Sequence, residues 1–124
     1  MSLNELKDLV HALAIEKGWY DDVETPPSPR TIAAWLCNIH GEVSEALEDV
    51  RNGDMSMRVE GGGDWYPADE ERKAKPCGLP SELADVIIRV LDTCGALGID
   101  IEHAVNVKHA YNETRSHRHG GKKL

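Results

Sequence analysis

Phenylalanine is absent from the sequence, and no stretch alternates apolar with polar residues as a half-buried strand does. A sheet as the main architecture is thereby excluded. No apolar run approaches the ~18 residues that a membrane-spanning helix requires. The N-terminus, Met1-Ser2-Leu3-Asn4-Glu5, has no basic region followed by an apolar stretch, so no secretory signal is expected and the cytoplasm is the expected compartment. The cysteines Cys37, Cys77 and Cys94 are odd in number and form no C-x-x-C, which leaves neither a disulfide framework nor a zinc ribbon. Reduced thiols are the simpler reading. Positive charge is also short. The formal net charge is -8, which removes the phosphate attraction behind non-specific binding to a nucleic-acid polymer.

The 124 residues suit one domain. They read as four amphipathic helices. The first spans about 3–17: Ser2 and Glu5 suggest a capping box, Leu3, Leu6, Val10 and Leu13 form one stripe, and Gly18 is the stop. The second spans about 29–51, with Ser28 as N-cap and Pro29 as first residue. Its stripe is Ile32, Leu36, Ile39, Val43, Leu47 and Val50. Residues 53–79 keep no period and read as a long loop, with a helical turn or two within Ala68–Lys75. The third helix starts at Pro80, carries Leu83, Ile87, Val90, Cys94 and Leu97, and ends at Gly98. Asp100 caps the fourth, which runs to about Arg115. The domain is therefore expected over 1–115, with a basic tail over 116–124. Four such helices imply a four-helix bundle, alone or completed by a second subunit.

Chemistry enters beside the apolar stripes. At 100° per residue, Trp35, Asn38, Glu42, Glu45 and Asp49 share a strip that borders the apolar face of the second helix. A merely solvated set of charges belongs on the opposite face. On the third helix Glu82 and Asp85 flank the stripe in the same way, with Arg89 one turn on. If these helices pack side by side, Glu42, Glu45, Glu82 and Asp85 converge. Converging carboxylates repel, and raised pKa values or a bound cation relieve them. An all-oxygen donor set suits Mg²⁺ or Mn²⁺ better than zinc. The plainer alternative is surface acids at chance spacing. On the fourth helix the stripe begun by Ile101 and Val105 continues as Lys108, Asn112 and Arg115. Lys and Arg bind phosphates, and Asn reads a base edge or ties down a neighbour. Structural pairing of Lys108 and Arg115 with acids is the alternative.

Glu42-Val43-Ser44-Glu45 and Glu82-Leu83-Ala84-Asp85 resemble the E-x-x-E and E-x-x-D motifs of the MazG-like nucleoside triphosphate pyrophosphohydrolases. Gly98-Ile99-Asp100-Ile101-Glu102, followed by Lys108, Asn112 and Arg115, resembles the last helix of that family. The resemblance covers most of the chain from about residue 30 onward. The 36 residues between Glu45 and Glu82 exceed the spacing common in the family, and the excess lies in 53–79. The resemblance implies an all-α MazG-like bundle and Mg²⁺-dependent conversion of a (d)NTP to the monophosphate and pyrophosphate. A homodimer or tetramer is expected because four short helices leave apolar faces, such as that of the first, for a second copy to cover. Glu42, Glu45, Glu82 and Asp85 would be the metal ligands and catalytic acids. Lys108 and Arg115 would hold phosphates and Asn112 the base or sugar. Trp35, by stacking on the base, and Asn38 are further candidates for substrate binding.

Three alternatives stand beside this reading. A di-iron carboxylate bundle needs E-x-x-H, which does not occur beside the stripes. A non-catalytic helical interaction module would show no magnesium dependence. A dUTP- or dUDP-preferring member of the same superfamily is the third. His11 and His40 read as packing or surface groups. His117 and His119, in the tail with Arg118, Lys122 and Lys123, read as part of a flexible segment, a chance metal-binding stretch or a phosphate lid.

Overall fold

The computed structural model describes residues 1–116. Apart from Ser116, the basic tail and the roles considered for it lie outside them. The described residues are mostly helical: α1 Leu3–Glu16, α2 Pro29–Arg51, α3 Pro67–Glu71, α4 Leu79–Leu97 and α5 Ile101–Glu113. No helix among them is long and apolar enough to cross a membrane. Helices α1, α2 and α5 begin where side chains supply acceptors for their free N–H groups, whereas α4 begins after Gly78 with no side-chain cap. Ser2 Oγ accepts from the Glu5 amide at 3.1 Å, Ser28 Oγ from the Thr31 amide at 3.2 Å, and Asp100 Oδ1 from the His103 amide at 3.0 Å. Each such cap contributes about 1 kcal/mol.

Helix α4 is central, with α2 and α1 packed along it. Leu91 and Cys94 of α4 and Ala46 of α2 are the buried apolar residues of this core. Helix α5 is tied by its first turn to the start of α1. The Leu3 amide donates to Glu102 Oε1 at 2.9 Å, Asn4 Nδ2 to Asp100 Oδ1 at 2.8 Å, and Lys7 Nζ to the Ile99 carbonyl at 3.2 Å. Further along α5, Val105, Val107 and Tyr111 stay exposed.

Two features differ from the sequence expectation. The apolar stripe of α2 is only half covered: Leu36, Val43, Leu47 and Val50 are 47–51% exposed. Helix α2 instead packs on α4, with small Ala46 buried and Trp35, Glu42 and Asp49 of the border strip half-buried. Amphipathicity marks which residues favour burial; it does not name the surface that buries them.

The segment 53–79 is also more than a loop. It holds α3 and an antiparallel two-residue ladder, β1 Arg58–Val59 with β2 Pro76–Cys77. The helical turn lies at Pro67–Glu71, overlapping the first half of the stretch expected. Buried Asp69 accepts from the Tyr66 amide at 2.9 Å and pairs with Arg72. Arg58 grips both Asp54 oxygens, at 3.2 and 3.1 Å, and the Leu79 amide donates to the Asp54 carbonyl at 2.8 Å. Local side-chain bonds and turns fix this segment, and they carry no hydrophobic period to read.

Candidate metal centre

The side-by-side packing of α2 and α4 sets the site. Glu42 and Glu45 are one turn apart on α2, and Glu82 lies in the first turn of α4. One carboxylate oxygen from each falls within 4.8 Å of the other two. Glu82 Oε2 is shielded from solvent with no hydrogen-bond partner, and so is Asp49 Oδ2, one turn beyond Glu45 on the same strip. A shielded, unpartnered carboxylate oxygen is costly unless something binds it.

The electrostatics bear the strain of this packing. Burial first, then the adjoining Glu45 carboxylate and the charges of Asp85 and Asp49, push Glu82 up to about 7. Asp85 is raised by burial and by repulsion from Glu42, partly offset by the positive charges of Arg89 and Lys75. Arg89 Nε donates to Glu42 Oε1 at 2.8 Å.

Beside the acids opens a cleft of about 420 Å³. Lys17, Glu42, Asp85, Arg89 and Asp92 supply its charged lining, Trp19, Tyr20 and Trp35 its aromatic part, and Asn38 an amide. Tyr20 stands edge-on to Trp35, with ring centres 5.7 Å apart, and edge-on to His11 at 4.8 Å. Burial, aided by the neighbouring Asp92 carboxylate, holds the Tyr20 phenol well above its ordinary pKa. Asp92 also accepts from His11 Nδ1 at 2.8 Å, so His11 is a half-buried packing group.

Comparison with protein-family models, curated proteins and solved structures found no match.

The structure thus brings Glu42, Glu45 and Glu82 together and sets Asp85, Trp35 and Asn38 on the adjoining cleft. It does not bring Lys108, Asn112 and Arg115 there. All three are exposed, Lys108 and Asn112 on α5 and Arg115 two residues past its end, and none lines the cleft. The Lys108 ammonium and Arg115 guanidinium lie 5.4 and 5.9 Å from the Tyr111 ring centre. The cations whose fields reach the acids are Arg89 and Lys75. Asp49, Lys17, Trp19, Tyr20 and Lys75 are among the residues near the site to which sequence reasoning gave no role. Asp49 was signalled by its place on the strip. Trp19 and Tyr20 follow the end of α1, and Lys75 precedes β2; no spacing rule connects them to the acids.

The donor set, three carboxylates with one shielded free oxygen, fits a hard divalent cation. Thiol and imidazole are missing from the three-acid group, which argues against zinc.

Proposed function

We propose that this chain is a MazG-like, Mg²⁺-dependent nucleotide pyrophosphohydrolase that converts a (d)NTP to its monophosphate and pyrophosphate. The observation that carries the reading is the carboxylate triangle of Glu42, Glu45 and Glu82, with its unpartnered Glu82 oxygen. The adjoining cleft supports it, because a lining that combines carboxylates, cations and aromatic rings suits a metal-bound nucleotide.

Glu42, Glu45 and Glu82 would hold the cation, with Asp85 one turn from Glu82 as the fourth ligand. When bound, Mg²⁺ supplies positive charge for the phosphates and acidifies the attacking water. Trp35 offers a stacking surface to the base, and Asn38 a donor and an acceptor to base or sugar. Trp19 and Tyr20 line the same cleft.

The reading includes an oligomer. The half-exposed stripe on α2, with Leu83 and Ile87 on α4, is the surface a second copy would cover, completing a helical bundle. Substrate binding by Lys108, Asn112 and Arg115 rests on that second copy, since within one copy they do not line the cleft.

The test is pyrophosphate release from a panel of nucleotides with and without Mg²⁺. Activity should require Mg²⁺ and fall at least about 100-fold in Glu45→Ala and Asp85→Ala. Release by neither parent nor variants, with no effect of Mg²⁺ on any property, would favour a non-catalytic helical module instead.

A further inference from the structure

Arg89 occupies an unusual position for a cation beside a candidate metal centre. It follows Asp85 by one turn of α4, and its Nε donates to Glu42 Oε1 at 2.8 Å. The Glu42 side chain is 13% exposed and that of Arg89 39%, so the pair is partly withdrawn from water while the guanidinium keeps room to move. The indole of Trp19 offers that guanidinium a second resting place, with its centre 5.9 Å away. Glu42 therefore takes part in two arrangements at once. It belongs to the carboxylate triangle with Glu45 and Glu82, and it is the member that holds an ion pair. A divalent cation in the triangle draws on the same carboxylate and repels the guanidinium.

We propose that Arg89 is a built-in counter-ion of Glu42, which a divalent cation displaces and which then turns to the phosphate groups of a nucleotide in the adjoining cleft. This rests on the metal-site reading above and adds a role for a residue outside the ligand set. The chemistry suits it. A guanidinium keeps its charge at any working pH and presents several donors in a planar fork that matches phosphate oxygens. The cleft lining already includes Arg89 together with Glu42 and Asp85, so no large excursion is needed.

Two opposite effects follow in Arg89→Met. Calorimetric titration of Mn²⁺ without nucleotide should give binding at least about fivefold tighter than in the parent, because a competitor for Glu42 is gone. Binding of an α,β-methylene nucleoside triphosphate, added as its Mg²⁺ complex to Mg²⁺-saturated protein, should be about tenfold weaker. Arg89→Lys, which keeps the charge, should return Mn²⁺ affinity toward the parent value. In the unmutated protein the Arg89 Nε–H resonance should move when Mg²⁺ is added, a readout that does not depend on any variant folding. Unchanged or weaker Mn²⁺ binding in folded Arg89→Met, or an unmoved Nε–H signal in protein that binds Mg²⁺, would show that Arg89 merely clamps Glu42, and would overturn the proposal alone. No Mn²⁺ binding by the parent or any variant would overturn the metal site itself, and the proposal with it.

Discussion

A Cβ placed on Gly95 would stand 2.5 Å from the Cβ of His11, so the contact between α1 and α4 depends on a missing methyl group. Gly95→Ala should therefore push the helices apart even though alanine is the better helix former. The expected loss is about 1–3 kcal/mol, set by overpacking rather than by propensity. Urea unfolding followed by circular dichroism checks it; unchanged or increased stability would mean that α1 moves aside at little cost.

A second position of this kind is Gly78, at the entry to α4. Its φ is +97°, and a side chain there would run into the Ser56 carbonyl. Gly78→Ala should cost at least about 2 kcal/mol through backbone strain and collision together. Because Gly78 immediately precedes the helix that carries Glu82, Mn²⁺ affinity should fall as well. A variant with parental stability and affinity would contradict this account.

The acid cluster predicts how stability varies with pH. Glu82 titrates near 7 in the folded chain, above its ordinary 4.5, with burial the leading cause. Between those values the folded state holds a proton that the unfolded state has released. Stability of the metal-free protein should therefore fall as pH rises from about 4.5 through 7, then level off. Asp85, also raised, acts in the same direction. Glu82→Gln should flatten the profile, and Mg²⁺ should raise Tm more at pH 8 than at pH 5, where it must displace a proton. Identical profiles for parent and Glu82→Gln in scanning calorimetry would remove Glu82 from the explanation.

Self-association has its own test. Leu47, 50% exposed on α2, belongs to the surface assigned to a second copy. Leu47→Glu should shift the protein to monomer in sedimentation equilibrium while leaving α2 helical, since Glu is a good helix former. A monomeric parent would refute the assembly, and an unaffected oligomer would place the interface elsewhere.

The helices were legible because their signals are local. Ser28-Pro29 and Asn52-Gly53 mark the bounds of α2, and Asp100 caps α5 as its position suggests. The nearness of Glu42, Glu45 and Glu82 was legible too, once α2 and α4 were taken to lie side by side. What escaped was relational. A stripe such as Leu36, Val43 and Leu47 looks the same whether its cover comes from the same chain or another copy. The direction of α5 after Gly98 is set by bonds from Leu3 and Asn4, about a hundred positions away, so the absence of Lys108 and Arg115 from the cleft lining had no local sign. Arg89 was visible as a neighbour of Asp85, but its pairing with Glu42 depends on how two helices meet.

The clasp between Asp54 and Leu79 makes the excursion from α2 to α4 begin and end at one point. Residues added or removed near Gly61-Gly62-Gly63 would lengthen or shorten a closed appendage without shifting the helices that bear the acids. Doubling such a loop costs only about 0.6 kcal/mol in closure entropy. Evolution, or an engineer, can thus rewrite the appendage while the geometry of the acids stays as it is.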